Sequence, residues 1–519
     1  MEPTGFDRHG PDHSGPSSPV ALLSARMSAE DRKHPEVLPI AICPAGESVL
    51  IPRPTPSMAF SRTQLFTLLF VLLYAGLIIL TLPRMMTGHT ADFVHFYRAA
   101  AALAAGEDIY AVSSRHYIYP PLMAFLFQPL SALPMPVAAG LWLIMNAVLL
   151  GASAWLTAGA AAARLSFPPA KSFVPSAAFL GSLLLLGKVH ADLHLGQTDG
   201  LVIFPIVLAL NCFDRRPVLA GTLLGLAGSE KYFGLAYVPY LVLRKRWRAA
   251  GSTMVAWTAW MLLPGALAGW NRNLHYIVSA VGGLVAMLNP DVGSERAGAT
   301  QAPGTLAGIS GVVWERSVSL TSACMRLGAT AAGKIWAVAA LIVIAFACVA
   351  LAWWIVRHAR FTLWTGRGLP ADAISASGRA LVLGEWSAVL IAALVFSPQL
   401  TERHFVLLLP IAVLAFFEFF NARRSIDRAL IVIGSIFLAA GLYLPPGGIA
   451  ELRAALWWWR DLAGASWCVL VFFFLTFAVL VRQIAIKARP VEVNGAMKVG
   501  HLSGAVGSRR SDLAVRRDD

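Results

Sequence analysis

Four short stretches of this chain set acids, histidines, amides and cations against long apolar runs. In the first, "TADFVHFYRAA", Asp92 and His95 directly follow the first apolar run of the sequence. The other three are "KVHADLHLGQTDG" at 188–200, "GSEKYFG" at 228–234 and "SPQLTERH" at 397–404. A carboxylate or an imidazole can move a proton, and a lysine or an arginine can hold an anion such as a phosphate.

Two interpretations of Asp92 are open. As a general base it would take a proton from a hydroxyl group that is held in a dry, shaped site. As a helix N-cap it would begin the amphipathic run "ADFVHFYRAAAALAAG", and spacing alone favours this second interpretation. The two roles are compatible, because the N-terminal end of a helix also stabilises a carboxylate.

Glu230 and Lys231 lie between two short apolar segments. A lysine at membrane depth is costly, which predicts a buried phosphate or carboxylate as its partner. Equally, the two residues can form a pair whose long side chains reach the membrane interface. Arg403 and His404 have the same two interpretations, with Glu402 as the local partner.

His190, Asp192 and His194 have the H-x-D-x-H spacing of a potential metal site. However, alternate residues share a face only on an extended strand, and no second ligand cluster accompanies them. We therefore favour polar contacts with a hydrophilic substrate and predict no metal site.

Gln197 and Asp199 are an amide and an acid of the kind that hydrogen-bond sugar hydroxyls. The alternative is ordinary capping of the next helix by Thr198 and Asp199. Both interpretations are open from the sequence.

Aromatic residues accompany the first two polar stretches. They fit an aromatic belt at the membrane interface, the interpretation that we favour, although aromatic faces also stack on sugar rings. The residues are Tyr110, Tyr117, Tyr119 and Trp142.

The composition predicts an α-helical integral membrane protein. The 519 residues are 57% hydrophobic, with a mean hydropathy of +0.65, which exceeds what the core of a soluble domain needs. Most apolar runs suit helices that cross a hydrocarbon layer about 30 Å thick, and the alternating strands of an outer-membrane barrel are absent. About twelve segments can be placed, beginning near Thr63, Met135, Phe173, Asp199, Pro217, Tyr232, Gly251, Lys334, Arg379, His404, Arg428 and Ala463.

The net charge of +14 is a topology signal. The basic residues cluster in short loops between apolar runs, so we expect no nucleic-acid partner. An excess of Lys and Arg in five of these loops predicts that those loops and both termini are cytoplasmic. The four polar stretches then lie outside, together with the long loop 271–333.

The ends of the chain differ from its centre in composition. Residues 1–62, with "HGPDHSGPSSP" and "IPRPTPS", predict a disordered N-terminal tail, and residues 486–519 a disordered cytoplasmic tail. Residues 63–485 are then the transmembrane domain. No P-loop, dinucleotide-binding GxGxxG or nucleophile elbow is visible, and we expect no cofactor.

Four blocks follow one another in a recognisable order. They are "DFVHFYRAAAALAAGEDIY" with "YPPLMAFLFQPLSALPMPVAAGLWLIMNAVLL", then "LHLGQTDGLVIFPIVLAL", "RRPVLAGTLLGLAGSEKYFGLAYVPYLVLRKRWRAA" and "SPQLTERHFVLLLP". Together they resemble glycosyltransferase family 87 over residues 65–414, with the loop 271–333 unmatched. Asp199 stands where the family more often has asparagine, and Gly234 where it has proline.

The resemblance implies a GT-C-like fold, an all-α polytopic bundle of about twelve transmembrane helices with extracytoplasmic loops. It also implies a polyprenyl-phosphate sugar donor, usually of mannose, and a lipid or glycan acceptor. The protein would lie among the lipids of the bacterial inner (plasma) membrane, with its active site at the extracytoplasmic face. Asp92 matches the expected catalytic base, Lys231 a lysine near the donor phosphate and His404 a histidine of the late outer loop. Arg403, next to His404, is our further candidate for binding the phosphate. The substrate-binding residues are then His95, Tyr119, His194, Gln197, Asp199, Glu230 and His404.

Two other functions are open to the same residues. A transporter or flippase of a lipid-linked sugar would line its path with these polar groups, although transporters usually show internal repeats, which are not visible here. A non-catalytic partner in the assembly of an envelope polymer would tolerate the replacement of Asp92.

Overall fold

The computed structural model describes residues 61–87, 92–111, 117–165, 172–288, 311–328, 331–361, 375–443 and 450–488. These parts of the chain are mainly helical and contain no strand. The helices are α1 (Arg62–Met86), α2 (Phe93–Ala105), α3 (Pro121–Leu126), α4 (Gln128–Ser131), α5 (Met135–Leu165), α6 (Val174–Leu184), α7 (Leu186–Leu195), α8 (Asp199–Cys212), α9 (Pro217–Lys231), α10 (Tyr237–Leu243), α11 (Trp247–Leu262), α12 (Gly265–Ala268), α13 (Trp270–Met287), α14 (Leu320–Leu327), α15 (Ala331–His358), α16 (Ala376–Val395), α17 (Leu409–Asn421), α18 (Ser425–Tyr443), α19 (Ala450–Asp461) and α20 (Gly464–Ala488). Short 3₁₀ helices at Phe233–Ala236 and Glu402–Leu408 precede α10 and α17. Nearly all of the two predicted tails lies outside the described residues.

Seven of the described helices are long and apolar enough to cross a membrane, or eight if the bent pair α6–α7 forms one span. This confirms the prediction of an all-α polytopic membrane protein. The count of about twelve spanning helices is not confirmed in the described part of the chain. The reason is length, because α8 and the segment Phe233–Leu243 are apolar but shorter than the spanning helices.

Two of the predicted segments are interrupted. The segment that begins near Phe173 consists of α6 and α7, which meet at a bend of 70°. The segment that begins near Tyr232 starts with a 3₁₀ turn, after Tyr232 itself adopts a φ of 59°. This left-handed conformation is uncommon for a residue that carries a side chain. Both interruptions lie beside polar stretches that the sequence singled out.

The segment predicted as the outer loop 271–333 contains helices. Most of its first third belongs to α13, and α14 lies near its end. Helix α13 is attached to the end of α2, because Arg272 donates a hydrogen bond to the carbonyl of Gly106 at 2.6 Å. The central part "NPDVGSERAGATQAPG" lies outside the described residues.

Helix α5 is the packing centre of the bundle. Helices α1, α6, α8, α16 and α17 all pack against it. Most of its buried residues are Ala, Gly, Ser or Thr, and small residues let neighbouring helices approach closely in a membrane. Helix α15 is the opposite case: Trp336 and Phe346 are each 74% exposed, as expected for a helix that faces lipid.

Gly200 marks a very close approach between α8 and α5. A Cβ atom on Gly200 would lie 2.0 Å from Asn146 Oδ1, far inside van der Waals contact. We expect Gly200→Ala to push the two helices apart and to lower the free energy of unfolding by about 1–3 kcal/mol. The measurement is the thermal unfolding midpoint of the purified protein in lipid nanodiscs.

The matched control is Gly76→Ala, because no described atom outside the adjoining part of α1 lies within 4 Å of the Cβ position there. This variant should keep the wild-type midpoint or raise it slightly, since alanine is the better helix former. Equal midpoints for the two variants would contradict close packing between α5 and α8.

Candidate active site

The turn between α7 and α8 is the centre of a cluster of polar side chains from the four stretches that the sequence singled out. Gly196 ends α7 with a φ of 68°, a conformation that glycine adopts without strain. Two side chains of α5 donate hydrogen bonds to backbone carbonyls of this turn. The indole N–H of Trp142 donates to the carbonyl of Gly196 at 3.1 Å, and Asn146 Nδ2 donates to the carbonyl of Gln197 at 3.0 Å. The backbone of the turn is therefore fixed to the packing centre of the bundle.

Asp92 precedes α2 but does not cap it with its side chain. Instead, Asp92 Oδ2 accepts hydrogen bonds from Arg403 NH1, at 2.7 Å, and from Gln197 Nε2. The capping interpretation is wrong because these donors, 311 and 105 positions away in the sequence, hold the carboxylate toward the bundle. No described residue donates to Asp92 Oδ1, so this oxygen can accept a hydrogen bond from a ligand.

Asp199 and Lys231 form a buried ion pair. Lys231 Nζ lies 2.5 Å from Asp199 Oδ1, and the two side chains are 8% and 0% exposed. The same ammonium group donates to Gln197 Oε1 at 3.4 Å and lies 5.6 Å from the centre of the Tyr119 ring. The second oxygen of Asp199, Oδ2, is 3.0 Å from His404 Nδ1. Both oxygens of Asp199 therefore have tertiary partners.

Glu230 is buried but does not form the predicted pair with its neighbour Lys231. Glu230 Oε1 accepts a hydrogen bond from the hydroxyl of Thr198. The interpretation of a Glu–Lys pair at the interface is therefore wrong. Capping by Thr198 is wrong as well, because its side chain makes no cap hydrogen bond to α8.

The local pairing predicted around Glu402 is also wrong. Glu402 Oε2 lies 3.5 Å from Lys188 Nζ. Arg403 and His404 instead reach acids of the earlier polar stretches. Local charge spacing failed here because the 3₁₀ helix that contains these residues packs against α7 and α8.

The structure brings together most of the residues that the sequence predicted for the site. The members of this cluster are Asp92, Tyr119, Gln197, Asp199, Glu230, Lys231, Arg403 and His404. His194 is not joined to them, since it lies beside His190 on α7 with 5.4 Å between the ring centres. For His95, the structure places the backbone N–H on the carbonyl of Asp92 at 3.0 Å.

The H-x-D-x-H stretch is helical, so its members do not share one face. His190 and His194 lie one turn apart, whereas Asp192 accepts a hydrogen bond from Asn146 Nδ2 at 2.7 Å. Within the described ranges, no group of three or more His, Cys, Asp or Glu side chains is placed to hold a metal ion.

Asn146 is the functional residue that sequence reasoning missed. Its signal was present, because a lone amide inside a 31-residue apolar helix usually has a buried polar partner.

The belt interpretation is wrong for Tyr117 and Trp142, which are 2% and 1% exposed and lie in the interior. Tyr119 is a neutral partner of Lys231, since burial raises the pKa of its phenol to about 12 although the ammonium opposes the shift.

Comparison with known proteins supports the resemblance. Residues 117–369 match the family described as Glycosyltransferase family 87. The chain is 25% identical over 449 residues to a Mycobacterium tuberculosis protein named polyprenol-phosphate-mannose-dependent alpha-(1-2)-phosphatidylinositol mannoside mannosyltransferase, covering 80% of this chain and 90% of that protein. A Mycolicibacterium smegmatis protein of the same name is 26% identical over 370 residues, covering 68% and 72% of the two chains. No solved structure matches the chain.

The family match contains five members of the polar cluster: Tyr119, Gln197, Asp199, Glu230 and Lys231. It agrees with a multi-pass membrane protein that lacks nucleotide-binding motifs. The chain is therefore a multi-pass membrane protein that is similar to the glycosyltransferases of family 87 over residues 117–369, just under half of its length.

Proposed function

We propose that this chain transfers a hexose, most simply mannose, from a polyprenyl-phosphate sugar to a hydroxyl group of a lipid-type acceptor. The reaction would take place at the extracytoplasmic face of a bacterial inner membrane. The names of the two mycobacterial relatives support this donor and a phosphatidylinositol mannoside type of acceptor. The observation that carries the proposal is the arrangement of Asp92 and Lys231 on opposite ends of one amide, Gln197.

In that arrangement the base and the cation are separated only by the amide group of Gln197, to which both are hydrogen-bonded. Gln197 is fully buried, and its backbone carbonyl is held by Asn146. The amide donates to the acid and accepts from the ammonium, so both groups are oriented before substrate binds. Orienting charged groups in advance is a main source of enzymatic rate enhancement.

Lys231 and Arg403 are the groups that would hold the donor phosphate. Lys231 has three N–H donors, of which Asp199 and Gln197 use two. Arg403 Nε is buried without a hydrogen-bond partner among the described residues, while the same guanidinium contacts Asp92. Both cations therefore have donors left for the phosphate oxygens.

The proposed reaction is a single displacement. Asp92 Oδ1 takes the proton of the acceptor hydroxyl, and the hydroxyl oxygen attacks the anomeric carbon. The bond between that carbon and the phosphate oxygen breaks, and polyprenyl phosphate leaves with the bonding electrons. Lys231 and Arg403 stabilise the negative charge of the leaving phosphate. The configuration at the anomeric carbon is inverted, and no metal, cofactor or nucleotide sugar is required.

The extracytoplasmic position of the site is supported by the charge distribution along α5. Asn146 contacts the site, whereas Arg164 near the other end of the helix pairs with Asp214 at 2.6 Å. Eighteen residues separate them, about 27 Å at 1.5 Å per residue, which is close to the thickness of the hydrocarbon layer. Arg164 contacts two of the predicted inner loops, through Asp214 and the carbonyl of Arg379. Under the positive-inside rule this supports a site on the outer side and both termini in the cytoplasm.

The first prediction concerns the base. Asp92→Asn should lower sugar transfer about 10²–10⁴-fold, because the amide cannot accept the proton, while donor binding stays close to that of the wild type. The assay is transfer from labelled polyprenyl-phosphate mannose to extracted envelope lipids by the purified protein in lipid vesicles. The control is Glu107→Gln, an exposed acid of the same predicted outer segment, which should keep full activity. Equal transfer by Asp92→Asn and the wild type would overturn the role of Asp92.

A second prediction concerns the phosphate. Lys231→Met should weaken the binding of polyprenyl phosphate, without any sugar, about 10–100-fold, as the loss of a hydrogen bond to a charged group would. The matched control is Lys188→Met, which removes another lysine of the same membrane face that pairs with Glu402 and lies 5.7 Å from the centre of the Tyr443 ring. Both variants are compared with the wild type by direct titration in nanodiscs. A weaker affinity in both variants to the same extent would indicate a non-specific effect of charge.

The third prediction concerns orientation. In a cysteine-free background, Glu107→Cys should react with a membrane-impermeant maleimide in intact cells. Arg424→Cys, an exposed position between α17 and α18, should react only after the membrane is permeabilised. The reverse pattern would place the site in the cytoplasm and exclude the proposed topology.

A further inference from the structure

Two buried oxygen atoms of the residues next to the proposed phosphate-binding lysine have no hydrogen-bond partner in the described part of the chain. Glu230 Oε2 and Tyr232 Oη accept or donate no hydrogen bond among the described residues. The cost of leaving a buried polar group without a partner is about 1–3 kcal/mol. Such groups therefore usually serve a ligand, a bound water or a catalytic step.

The two residues flank Lys231 directly, and the backbone between them is unusual. Helix α9 ends at Lys231, and Tyr232 turns the chain with a φ of 59°. A left-handed conformation at a tyrosine costs free energy, and such strain is often found at functional sites. Two Cα steps separate Glu230 from Tyr232, at most about 7.6 Å, so both side chains branch from the backbone next to Lys231.

Tyrosine rings lie beside Lys231, the residue between these two side chains. Its ammonium group is 5.6 Å from the centre of the Tyr119 ring. The ring centres of Tyr119 and Tyr117 are 6.0 Å apart, and those of Tyr117 and Tyr110 are 5.7 Å apart. The proposed phosphate-binding lysine therefore adjoins a row of aromatic rings, a surface of the kind on which sugar rings pack.

We propose that Glu230 and Tyr232 form the subsite that binds the hydroxyl groups of the donor sugar. The inference rests on the proposed function, because the phosphate on Lys231 fixes where the sugar must lie. In a polyprenyl-phosphate sugar the ring is one oxygen atom away from the phosphorus, so its hydroxyls reach side chains adjacent to the phosphate-binding residue. Glu230 Oε2 accepts a hydrogen bond from one hydroxyl, and Tyr232 Oη contacts a second.

The chemistry of the pair defines a class of sugar. A carboxyl oxygen and a phenol select a neutral, hydroxyl-rich ring, and a uronic acid would set its carboxylate against a second acid, Glu230. The contact to Thr198 fixes the carboxyl group of Glu230, which makes recognition dependent on the position of one hydroxyl. A site that is built to bind a particular hydroxyl discriminates strongly against an analogue that lacks it.

The experiment measures the binding of donor analogues to the full-length protein in nanodiscs. The ligands are polyprenyl phosphate, polyprenyl-phosphate mannose and its 2-, 3-, 4- and 6-deoxy analogues. Burial raises the pKa of Glu230 to about 8, so binding is measured at a pH above this value, where the carboxyl group is ionised. In the wild type, at least one deoxy analogue should then bind about 10–100-fold more weakly than the parent, as expected for the loss of a hydrogen bond to a charged group. In Glu230→Ala this analogue and the parent should bind equally, while polyprenyl phosphate binds as it does to the wild type.

Two further variants complete the test. Glu230→Gln keeps the shape of the side chain, so it is the reference if the alanine variant does not fold. It should reduce the penalty of the same analogue to about 3–10-fold, the range for a neutral hydrogen bond. Tyr232→Phe should abolish a penalty at a different hydroxyl. Its control, Tyr237→Phe, removes a buried hydroxyl that donates to the carbonyl of Trp386 and should leave every penalty unchanged.

The subsite would be overturned if each deoxy analogue lost as much affinity, relative to the parent, in both Glu230 variants as in the wild type. It would also be overturned if the wild type bound all the analogues as tightly as the parent. The two oxygens would then bind water. Transfer assays on the same preparations separate this result from the proposed function. Discrimination that depends on Glu230, without any sugar transfer, would support the subsite and contradict the transferase reaction. Sugar transfer without discrimination that depends on Glu230 would support the transferase reaction and contradict the subsite.

Discussion

The ion pair between Asp199 and Lys231 is the interaction on which the site depends. A charged group in the interior of a membrane protein is tolerated only with a partner, because the desolvation of each ion costs several kcal/mol. Asp199 is fully buried and pairs with a cation at the end of another helix, so α8 and α9 are held together at this face. Its second oxygen attracts His404, which brings the late polar stretch to the same point. One buried carboxylate therefore sets the position of three separate parts of the chain.

From this pair, the order of the site extends through amides rather than through further charges. Gln197 connects Lys231 to Asp92, and Asn146 holds the backbone of Gln197 on the packing centre of the bundle. A neutral amide can serve a cation and an anion at once, so it orders both without adding a charge that would need its own partner. This explains why the side chain between the base and the cation is an amide, that of Gln197, in a chain with few charged residues.

The sequence predicted the helical membrane fold and most members of the site, but it did not predict their partners. Hydropathy and the positive-inside bias are properties of local segments, and they placed Asp92, Lys231 and His404 on one face. Capping and local charge pairing are also local rules, and they assigned Asp92 to α2 and Glu230 to Lys231. The structure assigns both to residues of other elements, because tertiary contacts satisfy a buried acid better than an exposed helix end does. Bends such as the one between α6 and α7 depend on the neighbouring helices, so hydropathy cannot reveal them.

The distribution of the site along the sequence has a consequence for what the family match can explain. The match at 117–369 includes Lys231 and its partner Asp199, which are the donor-phosphate part of the proposed site. Asp92 precedes the matched region, and Arg403 follows it. These two residues form a salt bridge with 2.7 Å between Arg403 NH1 and Asp92 Oδ2, a contact that closes the site across 311 positions of sequence. The matched region alone therefore contains the means to hold a phosphate but not the proposed base. The complete site exists only when the helices before and after that region pack against α5 and α8.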